Sequence, residues 1–287
     1  MTPAPRGGIG IRWTIGDVSD RGFEALGLSI RGAWRIFGGN AAYTVCVNKI
    51  SPGRARARVG PVPGPVEWLD ATNAMPQFLH ERFDEAMAEG VGWKLAPLRV
   101  HPGRFELSLD NDCILWGMPP TIGHWLSRDD GGCLMAEDVR ACYGQFETLC
   151  AREPRNAGIR GLPPGFDLEA ALRRALAGAD ALHGRRIMLT SELDEQGLQT
   201  AALSPHPGGA PGAVLLDEVS VCSPFWPHRP EMGSCGAHFV GLNSRHIAWD
   251  YYDRPADDWM TGHWEKHRRT IYQKLGMEPA MSLGGCA

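Results

Sequence analysis

The stretch RFELSLDNDCILW, residues 104–116, decides how the rest of the chain is read. Residues 104–110 read as a strand, and CILW returns at once to buried character. Between them stand Asp110 and Asp112, with Asn111 in the middle. In open α/β sheets, ligands bind beyond the carboxyl ends of the strands. Two carboxylates two residues apart can reach one hard cation, and the cation would offset their mutual repulsion. The competing reading is a polar turn, since Asp-Asn-Asp is a common turn composition. On these residues alone the two stand level.

Outward from this stretch, strands and helices alternate. Residues 1–19, rich in Gly and Pro, read as a loose lead-in. Phe23, Leu26, Ile30, Trp34 and Phe37 recur at helical spacing, which predicts an amphipathic helix over 20–37, stopped by GGN. AAYTVCVNKI (41–50) reads as a buried strand, GPVEWLDA (64–71) as a second, MPQFLHERFDEAMAEG (75–90) as a helix and WKLAPLRV (93–100) as a strand. PPTIGHWLS reads as a short helix with Pro at its start. GCLMAEDVRACYGQF opens like a strand, and NAGIRGLPPGF (156–166) reads as a loop. Helices follow over 167–179, with Asp167 as its cap, and over 191–203. AVLLDEVSVCSPFW and GAHFVGLN read as late strands and 257–276 as a C-terminal helix. The pattern predicts an α/β protein with a mixed, mostly parallel sheet flanked by helices. Residues 1–40 are expected to form a lead-in and helix packed on a single domain spanning 41–287.

Composition removes several classes. The chain has 287 residues and a net charge of −4, which lacks the basic surplus of a nucleic-acid binder. Eight cysteines include no C-x-x-C pair, so a zinc ribbon and a thioredoxin-type motif are unsupported. No apolar run is long enough to span a membrane and the first residues carry no signal-peptide core. A cytoplasmic protein is the simplest expectation. The P-loop, the dinucleotide fingerprint and G-x-S-x-G are all missing. His263 and His267 lie four apart, but in HWEKH rather than H-E-x-x-H.

Four segments, in order, resemble a nucleotide-diphospho-sugar transferase of the GT-A type, closest in layout to the retaining, glycogenin-like enzymes. YTVCVNKI is similar to the strand that begins the family's nucleotide-binding half. LDND (109–112) is similar to its metal-binding D-x-D. NAGIRGLPPGF and LDEQGLQTAAL (193–203) look like the loop and acidic helix start that line the sugar site. HFVGLNSRHIAW (238–249) looks like the late motif that supplies a metal-binding histidine and a basic contact to the diphosphate. It departs from the family in lacking the usual Lys-Pro-Trp: His246, Ile247 and Ala248 stand between Arg245 and Trp249.

The resemblance implies a metal-dependent glycosyltransferase with Mn²⁺ or Mg²⁺ at Asp110, Asp112 and His238. It also implies a UDP- or GDP-sugar donor and an unspecified acceptor. Asn48, Asn111, Asn156, Gln196 and Arg245 are the expected substrate contacts, and Asp194, Glu195 and Asp138 the expected catalytic acids. Imidazole beside carboxylates suits Mn²⁺, since it is softer than oxygen. Each residue also has a plain structural reading: His238 as a buried core histidine, Arg245 as a surface charge, Asp194 and Glu195 as residues that favour a helix N-terminus. A sugar-phosphate nucleotidyltransferase would use the same paired acids, with Arg54, Arg56 and Arg58 as possible phosphate contacts in what otherwise reads as a solvated loop. A binding protein of the same fold that no longer turns over is the third possibility.

Overall fold

The structure is a computed structural model that describes residues 8–83, 92–128, 131–206, 208–222, 231–242, 250–251 and 254–278. Its strands are β1 (Ile9–Ile15), β2 (Ala41–Val47), β3 (Glu67–Asp70), β4 (Phe105–Leu109), β5 (Cys113–Leu115), β6 (Leu134–Glu137), β7 (Arg155–Leu162), β8 (Gly212–Val214), β9 (Val219–Cys222), β10 (Gly236–Phe239), β11 (Asp250–Tyr251) and β12 (Arg254–Pro255). Its helices are α1 (Asp20–Phe37), α2 (Pro52–Val59), α3 (Gln77–His80), α4 (Pro120–Leu126), α5 (Leu168–His183), α6 (Glu192–Leu203) and α7 (Ala256–Lys274).

Seven strands form one sheet in the order β3-β2-β1-β4-β7-β6-β8, and β5-β10-β9 form a second, smaller sheet. The first four run parallel; β7 is antiparallel to both β4 and β6, and β8 is parallel to β6. Strand order reverses around β1, so the crevice beyond the carboxyl ends of β1 and β4 is the topological switch point of the sheet. The antiparallel turn of β7 brings its first residues, and the end of β6, to that same edge.

Residues 9–15 are an interior strand, paired on both sides, and not a loose lead-in. Arg12 disguised it, because a charge in the middle of IGIRWTI breaks the apolar run of a buried strand. NAGIRGL likewise proves to be a strand. Gly158 and Gly161 are there for close packing: a Cβ on Gly161 would lie 2.9 Å from both Leu134 and Trp125. Residues 93–100 are not a strand; Gly92–Leu95 form a 3₁₀ turn that runs into Pro97, which has no N–H for a ladder. The basic stretch after β2 is the helix α2, with Ser51 capping Arg54 N and Pro52 in the first turn, where a missing N–H costs nothing. Of the helix expected over 75–90, Gln77–His80 is helical, and residues 84–91 lie outside the described residues.

Helices cover both faces of the main sheet. On one side α1 packs Phe23, Leu26 and Ile30 into a core with Ile11, Trp13, Val45 and Leu107. On the other, α5 and α6 bury Leu172, Leu176 and Leu198 with Met135 and Leu162. A third cluster ties Trp264 and Ile271 of α7 to Phe239 and Ala237 of the small sheet. In the middle of α1, Gly32 allows contact with β5, where a Cβ would stand 1.9 Å from the Leu115 carbonyl oxygen. No helix among the described residues is long and apolar enough to cross a membrane.

Candidate active site at the end of strand β4

The Asp-Asn-Asp segment is both a turn and a site. The Cys113 N–H donates to the Asp110 carbonyl at 2.9 Å, closing a tight turn that carries the chain from the large sheet into the small one. Asn111 faces the scaffold: its amide donates to the Gly22 carbonyl of α1 at 3.2 Å. That contact ties the turn to α1, with the two aspartates on either side of it.

His238 comes to the same place through β10, which pairs antiparallel with β5 so that His238 stands opposite Cys113. Its Nε2 is 3.4 Å from Asp110 Oδ2 and 3.3 Å from Asp112 Oδ1. One ligand atom from each of the three residues falls within 4.8 Å of the others. His238 Nδ1 has no hydrogen-bond partner among the described residues. Two carboxylate oxygens and an imidazole nitrogen are a donor set that suits a divalent cation.

Electrostatics bind these groups tightly. Burial pushes the His238 imidazole down, but hydrogen bonds to Asp110 and Asp112 outweigh it and raise it to about 9. Burial opposes ionisation of Asp110 too, yet the charges of Lys94 and His238 pull it down to about 2. Asp112, deeper, is raised above the ordinary carboxylate range by its burial.

Lys94 was not foreseen from the sequence. It sits on the 3₁₀ turn before β4 and places Nζ 2.7 Å from Asp110 Oδ2. Asp110 and Glu195 hold its ammonium charged against burial. A lysine in an apparent strand gives no hint of this, because its partner is fixed by tertiary structure alone.

The remaining expected residues fall into separate groups. Asp138, at the end of β6, accepts from Asn156 Nδ2 at 3.0 Å, and Gln196 Nε2 lies 3.5 Å from the same oxygen. Asn156 Oδ1 accepts from Gly158 N at 2.8 Å, so its amide is fully oriented. Burial raises Asp138 above the usual carboxylate range. Glu195, on the first turn of α6, is raised by burial to about 7, and both Lys94 and Asp110 act on its charge. Asp194 is turned away from this group. Its carboxylate closes the capping box with Ser191 and accepts from Gln145 N at 2.9 Å and Thr190 N at 2.8 Å. It is therefore engaged in holding the N-terminus of α6 rather than in presenting a reactive oxygen. Asn48 is completely buried just after β2, and neither amide atom has a partner among the described residues. Arg245 lies outside the described residues.

No protein-family model and no curated protein matches the chain. Solved structures do resemble it. The galactosyltransferase LgtC, solved with donor and acceptor sugar analogues, superposes at TM-score 0.55 with 12% identity, over 96% of this chain and 98% of that one. The fold is that of the GT-A glycosyltransferases. Mouse xyloside xylosyltransferase 1 gives TM-score 0.53 at 11% identity, over 82% and 99% of the two chains. The bifunctional glycosyltransferase WbbM gives 0.52 at 12% identity, with 96% of this chain matching 53% of that one. At such identities it is the GT-A architecture that is shared.

Proposed function

We propose that this chain is a metal-dependent glycosyltransferase that moves a sugar from a nucleoside-diphosphate donor to an acceptor. The observation that carries the reading is the convergence of Asp110, Asp112 and His238 at the switch point of a GT-A sheet. Those three residues would hold Mn²⁺ or Mg²⁺, which when bound supplies Lewis-acid stabilisation to a departing diphosphate. Lys94 adds a fixed positive charge on the same side and would bind the diphosphate directly, in the role expected of Arg245 from the sequence.

Asn48 offers a buried donor and acceptor to the nucleotide. Asn156 and Gln196, joined through Asp138, form a polar wall suited to sugar hydroxyls. Glu195 is the carboxylate best placed for catalysis: it is buried, sensitive to the charges of Lys94 and Asp110, and free of any capping duty.

Calorimetry of UDP and GDP, with and without Mn²⁺, tests the reading on Asp112→Ala. Loss of Mn²⁺-dependent binding in a protein with unchanged circular dichroism supports it. Unchanged binding rejects the metal assignment. Release of pyrophosphate from a nucleoside triphosphate and a sugar phosphate would instead establish a nucleotidyltransferase.

A further inference from the structure

We propose that Arg160 is a positioning residue for the reaction, acting through Gln199 on Glu195; the inference rests on the glycosyltransferase reading above. Arg160 lies in β7, which is paired on both sides, and is 1% exposed. A guanidinium without water needs hydrogen-bond acceptors and opposite charge. Its Nη1 donates to Gln199 Oε1 at 2.7 Å, and Gln199 Nε2 donates in turn to Glu195 Oε1. The order of this relay is chemically forced. Arginine only donates, so the Gln199 oxygen must face it, and the amide NH₂ is left for the carboxylate. Glu195 and Gln199 stand four residues apart on α6, the spacing at which helical side chains meet. Arg160 thereby selects one side-chain orientation for the glutamate.

The same guanidinium reaches Lys94. Arg160 Nη2 donates to the Lys94 carbonyl at 3.4 Å, and Arg12 Nη2, from β1, donates to that carbonyl at 3.3 Å. Arg12 is paired with Glu106 at 3.8 Å. Two buried arginines and two buried glutamates thus belong to one hydrogen-bonded and ion-paired frame beneath the site. The lysine that grips Asp110 and the proposed catalytic carboxylate are both attached to it. Replacing buried ions by apolar groups is often neutral for stability, so the frame is better explained by placement than by fold energy.

The test uses the full chain with Mn²⁺ and UDP-glucose, UDP-galactose and GDP-mannose, following donor hydrolysis without acceptor. In Arg160→Met, kcat is expected to fall roughly 10- to 100-fold, the scale of a small misplacement, while KM stays within about threefold. Arg160→Lys, which can still donate to Gln199, should recover a large part of kcat. Gln199→Met should lose as much as Arg160→Met, and the double variant no more than either, because one relay is broken in each case. An unchanged kcat in Arg160→Met, or losses that multiply in the double variant, overturns the positioning role. If Arg160→Met does not fold, Gln199→Met decides alone on the same kcat criterion. A parent protein that neither binds UDP or GDP with Mn²⁺ nor hydrolyses any donor sinks the functional reading and the positioning role with it.

Discussion

The imidazole of His238 occupies the space in which a side chain at residue 158 would begin. A Cβ on Gly158 would lie 2.2 Å from His238 Cε1 and 2.5 Å from Nδ1. Gly158→Ala is therefore expected to drive the ring away from the aspartates. Overpacking of this kind costs about 1–3 kcal/mol of stability. Disturbing the support of a metal ligand costs roughly 10- to 100-fold in metal affinity. Titration with Mn²⁺, paired with chemical denaturation, measures both; native affinity in a folded Gly158→Ala protein would show that His238 is not a ligand.

Lys94→Met separates the cation from the anion. Lys94 and a metal ion both draw on Asp110, so removing the ammonium should leave Mn²⁺ binding alone as tight or tighter. Binding of UDP with Mn²⁺ should weaken about tenfold or more, since a charge-assisted contact contributes about 1.5–3 kcal/mol. Calorimetry with Mn²⁺ alone and with UDP present reads the opposite signs. A parallel loss in both would mean that the lysine merely holds Asp110 in place.

Glu106 is a test of stability rather than chemistry. One of its oxygens accepts from Val100 N at 2.7 Å and His101 N at 2.6 Å, and the other faces Arg12. Glu106→Ala strands a buried guanidinium and two amides, and should cost about 3–5 kcal/mol in urea denaturation. Glu106→Gln keeps an acceptor for the amides and should cost clearly less. Equal costs would show that the ion pair with Arg12, not the amides, needs the carboxylate.

Arg82 clips the approach to α6. Its guanidinium meets both oxygens of Asp180, at 2.6 and 2.7 Å, and Asp180 also accepts from Ile187 N at 2.8 Å. The pair is partly exposed, so Arg82→Ala should cost only about 1–2 kcal/mol while leaving Mn²⁺ and UDP binding unchanged. A loss of binding would reveal that the 187–191 segment communicates with the site.

The parts of the fold that could be read from sequence are those whose cause is local. α1 and α5 announce themselves by apolar spacing, and Asp167 does cap α5 by accepting from Ala170 N. LDND could be recognised as chemically unusual, although the residues alone left turn and site level. β1 and β7 were hidden because each carries an arginine that only the completed frame neutralises, and β7 carries glycines that only its neighbours explain. His238 could be found through the order of motifs but not through its own surroundings. Lys94 could not be found at all, since nothing near it in the chain foretells Asp110. Asp194 and Glu195 look equivalent as adjacent acids, yet the helix turn sends one to its own cap and the other toward the buried frame.

The passage of the chain from the large sheet to the small one at Asp110–Asp112 has a mechanical consequence. The two aspartates ride on the crossover, while His238 belongs to a strand of the second sheet, far along the chain. An ion held by all three would act as a rivet between the sheets. Loading the site should then protect the carboxyl-terminal half of the molecule from proteolysis as well as preparing it to receive a donor.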